Sequence, residues 1–173
     1  MDKKKNYKQN HIHFTLVVCF AFVSLISCEN NQNLNQKTES NTMERKIINP
    51  WTWQDKYGFV QANEVTDVNR TLYTAGIVSV DENGNLLFPN DMEKQINQII
   101  DNMEVLLNQA GFELSDAVKF TYYTTDIQGF TNAYPVLSSR MGPANCKPAT
   151  SLIGVNALFH PECVVEIEAT VVD

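Results

Sequence analysis

Two glutamates, Glu166 and Glu168, stand two residues apart in the run Cys163-Val-Val-Glu-Ile-Glu-Ala-Thr-Val-Val, whose β-branched density reads as a strand. Alternate residues of a strand share a face, so the charge of Glu168 is expected to raise the pKa of Glu166, which becomes a candidate general acid/base. The other reading is a solvated strand residue paired across a hairpin, and both stay open. Other catalytic constellations lack parts. His160 is the only histidine after residue 27, and it lies in a Phe-His-Pro loop; one histidine and two separated cysteines, Cys146 and Cys163, do not make a zinc site. A Ser-His-Asp arrangement would have to use that same loop histidine, with no strained Gly-x-Ser-x-Gly turn to present the serine. No glycine-rich phosphate loop is present, and neither metal nor cofactor is expected.

The elements that must position the glutamates follow from periodicity. Lys147-Pro-Ala-Thr-Ser-Leu-Ile-Gly-Val reads as a strand, Ala157-Leu-Phe-His-Pro-Glu162 as a loop, and the glutamate run as the return strand of a hairpin. If Asn156 pairs with Cys163, Cys146 lies on the order of 30 Å further along the ladder at ~3.4 Å per residue. That is too far for a disulfide, so two free thiols are expected. Upstream, residues 58–65 and 70–79 read as strands joined by the turn-forming 66–69, and Asn83-Gly84 is the strongest local turn signal. Met92, Ile96, Ile99, Ile100, Met103, Leu106, Leu107 and Ala110 recur at helical steps; Asn90 with Glu93 reads as the N-terminal cap and Gly111 as the stop. Residues 117–125 alternate as a strand. A helix over 129–140 contains Pro135, which belongs in a first turn or at a kink. The predicted class is α+β, a β-β-α-β-α-β-β sheet with two helices on one face.

The N-terminus reads differently. Lys3, Lys4, Lys5 and Lys8 precede a mostly apolar run over 14–26, and Leu25-Ile26-Ser27-Cys28 has the form of a bacterial lipobox. A spanning helix needs about 20 apolar residues, so residues 1–27 are read as a lipoprotein signal peptide and Cys28 as the lipidation site. Residues 28–42, rich in Asn, Gln, Ser and Thr, read as a flexible tether, and 43–173 as the folded domain. The expected location is the periplasmic side of the cell envelope, with the membrane engaged through lipidated Cys28; a start at Met43 would instead give a cytoplasmic form. Removing the signal leaves 9 basic against 19 acidic residues, a balance of −10. No clustered Lys/Arg face exists to neutralise phosphates, which argues against a nucleic-acid partner.

Several stretches carry a family resemblance in the expected order: Leu72-Tyr-Thr-Ala-Gly-Ile77, Ala110-Gly-Phe-Glu-Leu-Ser-Asp-Ala-Val-Lys119, Asp126-Ile-Gln-Gly-Phe130, Pro148-Ala-Thr-Ser151 and Glu166-Ile-Glu-Ala169. Over residues 43–173 the chain resembles the RidA/YjgF family, the Rid enamine/imine deaminases. The resemblance implies a chorismate-mutase-like (RidA-like) fold, a homotrimer, and clefts between neighbouring subunits. In deaminating members an arginine grips the substrate carboxylate while a glutamate helps water attack the C=N carbon. By position Glu166 matches that glutamate and Gly76 the strand glycine that lets backbone approach ligand. Thr150 stands where the arginine would, Phe59 where active relatives have tyrosine, Ala75 where they have serine, and Tyr134 where they have asparagine. Losing a charge-assisted bidentate contact typically costs ~2–5 kcal/mol of binding.

The N-terminal lipobox and the resemblance over residues 43–173 together suggest a lipid-anchored Rid protein that binds a small molecule, less anionic than an imino acid, with altered or lost deaminase chemistry. Phe59, Tyr123 and Tyr134 would contact a flatter, more apolar ligand. Two alternatives stand beside it: an active enamine/imine deaminase using Glu166, with Thr150 orienting the substrate, and a chaperone-like structural trimer without ligand. Arg70, Lys119, Arg140 and Lys147 are the candidates to replace the missing cation, each also readable as surface charge.

Overall fold

The computed structural model describes residues 42–173; the signal segment, Cys28 and nearly all of the expected tether lie outside them. The element order is β1 (Glu44–Ile48), β2 (Ala62–Thr66), β3 (Thr71–Tyr73), α1 (Met92–Ala110), β4 (Ala117–Thr124), α2 (Ile127–Met141), β5 (Ala149–Gly154) and β6 (Val165–Val172). This is an α+β fold with a mixed sheet and two helices. Strands β3, β6, β4 and β5 lie side by side in that order, and β1 pairs antiparallel with β2 in a separate two-stranded sheet.

Alternation dictates the two faces of the main sheet. Ala117, Phe120 and Tyr122 of β4 and Val165, Ile167 and Val171 of β6 are buried, and they meet Ile96, Ile99, Ile100, Met103 and Leu107 of α1 with Phe130 and Leu137 of α2; Val118, at a register shift in β4, is buried outside this cluster. Lys119, Thr121 and Tyr123 of β4 and Glu166, Glu168 and Thr170 of β6 are half-buried on the face that carries no helix. Burying a full-sized aliphatic side chain is worth about 1.5–3 kcal/mol, which makes the helix stripe and the strand alternation the main determinants of the fold.

The expected hairpin does not form. β5 pairs with β4 in parallel and β6 pairs with β4 antiparallel, so β4 lies between the two strands that the sequence reading joined. The cause is the β4-α2-β5 crossover, which sets consecutive parallel strands side by side and takes up the edge of β4 that β6 does not use. The 155–164 connection straddles the end of β4, where the Val155 N–H donates to the Thr124 carbonyl (2.9 Å) and the Thr125 N–H to the Val164 carbonyl (3.2 Å). Cys146 and Cys163 are free and buried. The Asn156–Cys163 pairing does not occur, and the cysteines instead lie beyond opposite ends of β4, roughly 20 Å or more apart at ~3.3 Å per residue.

Other boundaries shift. β1 is an additional strand, exposed apart from Arg45, whose guanidinium donates to Asn63 Oδ1 (2.9 Å), the Ser115 carbonyl (3.0 Å), the Ala117 carbonyl (3.1 Å) and the Lys147 carbonyl. That one side chain ties the small sheet to the entry of β4 and the approach to β5. The strands predicted at 58–65 and 70–79 are shorter, continuing only as bridges at Val60 to Ala149 and Ile77 to Ile167. The α1 cap is Asp91, one residue after Asn90, its side chain accepting from the Lys94 N–H at 3.1 Å; Gly111, at φ 76°, ends the helix as expected. α2 begins earlier than predicted, capped by Asp126, and runs through Pro135, which therefore sits inside the helix rather than in its first turn.

Candidate functional site

The candidate residues fall into two groups on opposite faces of the main sheet. Thr150 is the register partner of Phe120, and Leu152 of Tyr122, so both point to the helix face at the free edge of β5. There they border a groove of about 940 Å³ between β5, α2 and the loop before β2. Phe59 and Tyr134 also line it, so three of the predicted residues are brought together. Trp53, Tyr57 and Lys56 complete that side.

The groove wall is an aromatic lattice. Tyr57 and Phe59 stack with centroids 6.2 Å apart and 20° between planes, Tyr134 meets Tyr57 edge-on at 6.1 Å, and Trp53 meets Phe59 edge-on at 5.8 Å. Such pairs contribute about 0.5–1.5 kcal/mol each beyond the area they bury. The Tyr134 hydroxyl donates to the Tyr57 carbonyl at 2.8 Å, and burial pushes its pKa up to about 12. Tyr134 thus pins the loop to α2 as a neutral donor. Gln54, fully buried beneath the loop, donates to Asp55 Oδ1 (2.8 Å) and accepts from Gln61 Nε2 (3.2 Å). Gly58 supplies the left-handed turn, φ 74°, that releases the chain towards β2. Pro135 also borders the groove, and its missing N–H deprives the Thr131 carbonyl of its usual helical partner.

Glu166 is the register partner of Tyr123, on the face away from the helices. Its carboxyl fills the space that a side chain at Gly76 would take. This close approach gives Gly76 a steric role beside Glu166, and Ala75, exposed, precedes it in the chain. Burial first, and the charge of Glu168 second, raise the Glu166 pKa. Glu168 accepts a hydrogen bond from the Tyr123 hydroxyl at 2.9 Å. Tyr123 therefore does not join Phe59 and Tyr134 in one contact surface. Within one chain, Glu166 and Thr150 cannot act on the same molecule, because the sheet separates them.

The four candidate cations are occupied elsewhere or outside the groove. Arg70 pairs with Asp173, donates to the last carbonyls of α1 and lies 4.3 Å over the Phe112 ring; Arg140 pairs with Asp101 (2.8 Å) and Glu104 (3.1 Å). Lys119 donates to Ser151 Oγ at 2.7 Å on the helix-free face. Lys147 borders a smaller pocket of about 230 Å³ behind the loop. The cation at the groove is Lys56, its Nζ 4.8 Å from the Tyr57 ring centroid. Sequence reasoning missed it because residues 51–58 have no period; the density of Trp51, Trp53 and Tyr57 in a non-strand segment was the available signal. His160 stays in its loop, its Nδ1 accepting from the Glu162 N–H at 3.4 Å. Among the described residues no group of three or more His, Cys, Asp or Glu is placed to hold a metal ion.

Comparison with known proteins agrees with the geometry. A RutC family protein of Pyrococcus abyssi is 28% identical over 107 residues, covering 62% of this chain and 82% of that protein. The crystal structure of the Rid family protein YyfB from Yersinia pestis matches with a TM-score of 0.66 at 33% identity, covering 75% of this chain and 98% of that one. The YjgF gene product of E. coli matches with a TM-score of 0.54 at 28% identity, covering 66% of this chain and 87% of that one. The family profile described as Endoribonuclease L-PSP matches residues 57–173. The chain therefore belongs to the endoribonuclease L-PSP family, the RidA/YjgF and RutC proteins.

Proposed function

We propose that this protein is a lipid-anchored Rid protein that binds a flat small molecule in the Thr150 groove, with the deaminase chemistry of its relatives altered or lost. The observation that carries this reading is the groove itself. At the position of the expected arginine, Thr150 offers a hydroxyl with no hydrogen-bond partner among the described residues. Around it stand aromatic rings rather than a guanidinium fork. A small imino acid would lose the bidentate grip on its carboxylate.

The site is completed by a second copy in this reading. The helix-free face of the sheet carries Tyr123, Glu166 and Glu168 half-buried, with Tyr73 and Ile153 exposed. A sheet face with this mixture of apolar and polar groups gains cover by self-association, and a homotrimer would bring Glu166 of one copy towards Thr150 of the next. A ribonuclease role, suggested only by the family's description, is disfavoured by the acidic balance and the absence of a basic cluster.

The retained Glu166–Gly76 contact and the raised Glu166 pKa favour the second reading, an enamine/imine deaminase with Glu166 activating water. Amine release from 2-aminoacrylate generated in situ separates the two. The altered-groove reading expects no acceleration by the wild-type chain and activity gained in Thr150→Arg. Wild-type turnover that disappears in Glu166→Ala supports the deaminase instead. If neither form is active and a thermal-shift screen finds no ligand, the chaperone-like trimer is left. Anchoring through Cys28 at the periplasmic side of the envelope is tested by Cys28→Ser, which should move the chain from the membrane to the soluble fraction.

A further inference from the structure

The groove and the molecule carry opposite charge. The chain after residue 27 has a balance of −10, yet among the described residues of one chain no Asp or Glu lines the groove, and Lys56 is the one charged residue that does. Among the described residues Lys56 has no ion-pair partner. Lys56 Nζ lies 4.8 Å from the centroid of the Tyr57 ring, which stacks on Phe59, and Thr150 lines the same groove. We propose that the positive charge absent at position 150 is supplied from the loop by Lys56, and that the groove takes an aryl carboxylate. The acid would pair with Lys56 while the ring lies against the Tyr57, Phe59 and Tyr134 rings. The proposal rests on the groove being the ligand site.

Size and charge geometry both favour this class over a small imino acid. Sites for organic ligands occupy about 300–1,000 Å³, and a groove of about 940 Å³ would stay mostly water-filled around an acid of a few heavy atoms. An ammonium is a point charge on a flexible stem and cannot hold a carboxylate in the two-point geometry of arginine. Orientation must then come from the ring, which offset or edge-on contacts with the wall would fix.

Calorimetric titration of the full chain with phenylacetate and with its neutral isostere phenylacetamide tests the proposal. Wild type should bind phenylacetate about fivefold more tightly, the effect of one partly exposed charge pair. Lys56→Met should bring the two affinities level, Lys56→Arg should keep the preference, and added salt should shrink it. Equal affinities in wild type, or a preference that survives Lys56→Met, would overturn the assignment while leaving the groove as a ligand site. If neither probe binds, the groove reading falls and this inference falls with it. Lys56 is exposed, so the Met variant should keep the wild-type thermal midpoint.

Discussion

Gly76→Ala probes the close approach of Glu166 to the neighbouring backbone. A methyl group at position 76 would overlap Oε1, Cδ and Cγ of Glu166, so turning the carboxyl tip alone does not clear it and the whole side chain must leave its rotamer. The glycine does not adopt a left-handed conformation, so the penalty is steric. Overpacking of this kind costs about 1–3 kcal/mol, partly offset by the ~0.4–1 kcal/mol that alanine contributes through a less flexible unfolded chain. At this chain length a net loss of 1–2 kcal/mol lowers Tm by about 3–8 °C. Thermal and urea unfolding of Gly76→Ala, Glu166→Ala and the double variant give the coupling. In the double variant the obstructing atoms are gone, and most of the loss should return, with an interaction of at least ~1 kcal/mol. Single effects that add within ~0.5 kcal/mol, or a neutral Gly76→Ala, would refute the close-approach explanation for the glycine.

The raised Glu166 pKa gives a second outcome. The folded chain keeps a proton that the unfolded chain releases, so stability falls as pH rises from the ordinary carboxylate value of 4.5 to the raised one. Glu166→Gln should therefore melt above wild type at pH 7 and together with it near about pH 3. Arg45→Leu should lower stability by about 2–4 kcal/mol in urea unfolding, because Asn63 Oδ1 and the carbonyls of Ser115 and Ala117 lose the guanidinium donor, while the Lys147 carbonyl keeps only its bond from Asn63 Nδ2. Burial holds the Cys146 thiol near a pKa of about 12, so at pH 8 it should resist iodoacetamide in the native protein and react once urea unfolds it.

Much of this fold was legible because its strongest signals are local. The α1 stripe from Met92 to Leu107 and the β4 alternation from Val118 to Tyr123 each state which face is buried, and Gly111 states where the helix stops. Pairing was less legible. Alternation assigns a strand's faces but not its neighbours, so β5 and β6, close in sequence, read as a hairpin although the α2 crossover places β4 between them. β1 carried no signal, since Glu44-Arg-Lys-Ile-Ile lacks alternation and the strand is held by its ladder with β2 and by the Arg45 contacts. At the candidate site, Thr150, Phe59 and Tyr134 were found together through family positions. The sheet separating them from Glu166 and Tyr123 depended on register, which no single segment encodes. Lys56 escaped notice because an aperiodic loop reveals its side-chain directions only when the aromatic contacts of Trp53, Tyr57 and Tyr134 are seen.

A crystal structure of the full chain soaked with phenylacetate bears most directly on the claim that a deaminase scaffold has exchanged its arginine clamp for an aromatic groove. The expected result is ligand density against Thr150, Lys56 and the Tyr57–Phe59 wall, with Glu166 of a second copy facing it. An empty groove with ligand bound elsewhere, or a basic side chain from a neighbouring copy filling the space beside Thr150, would contradict it.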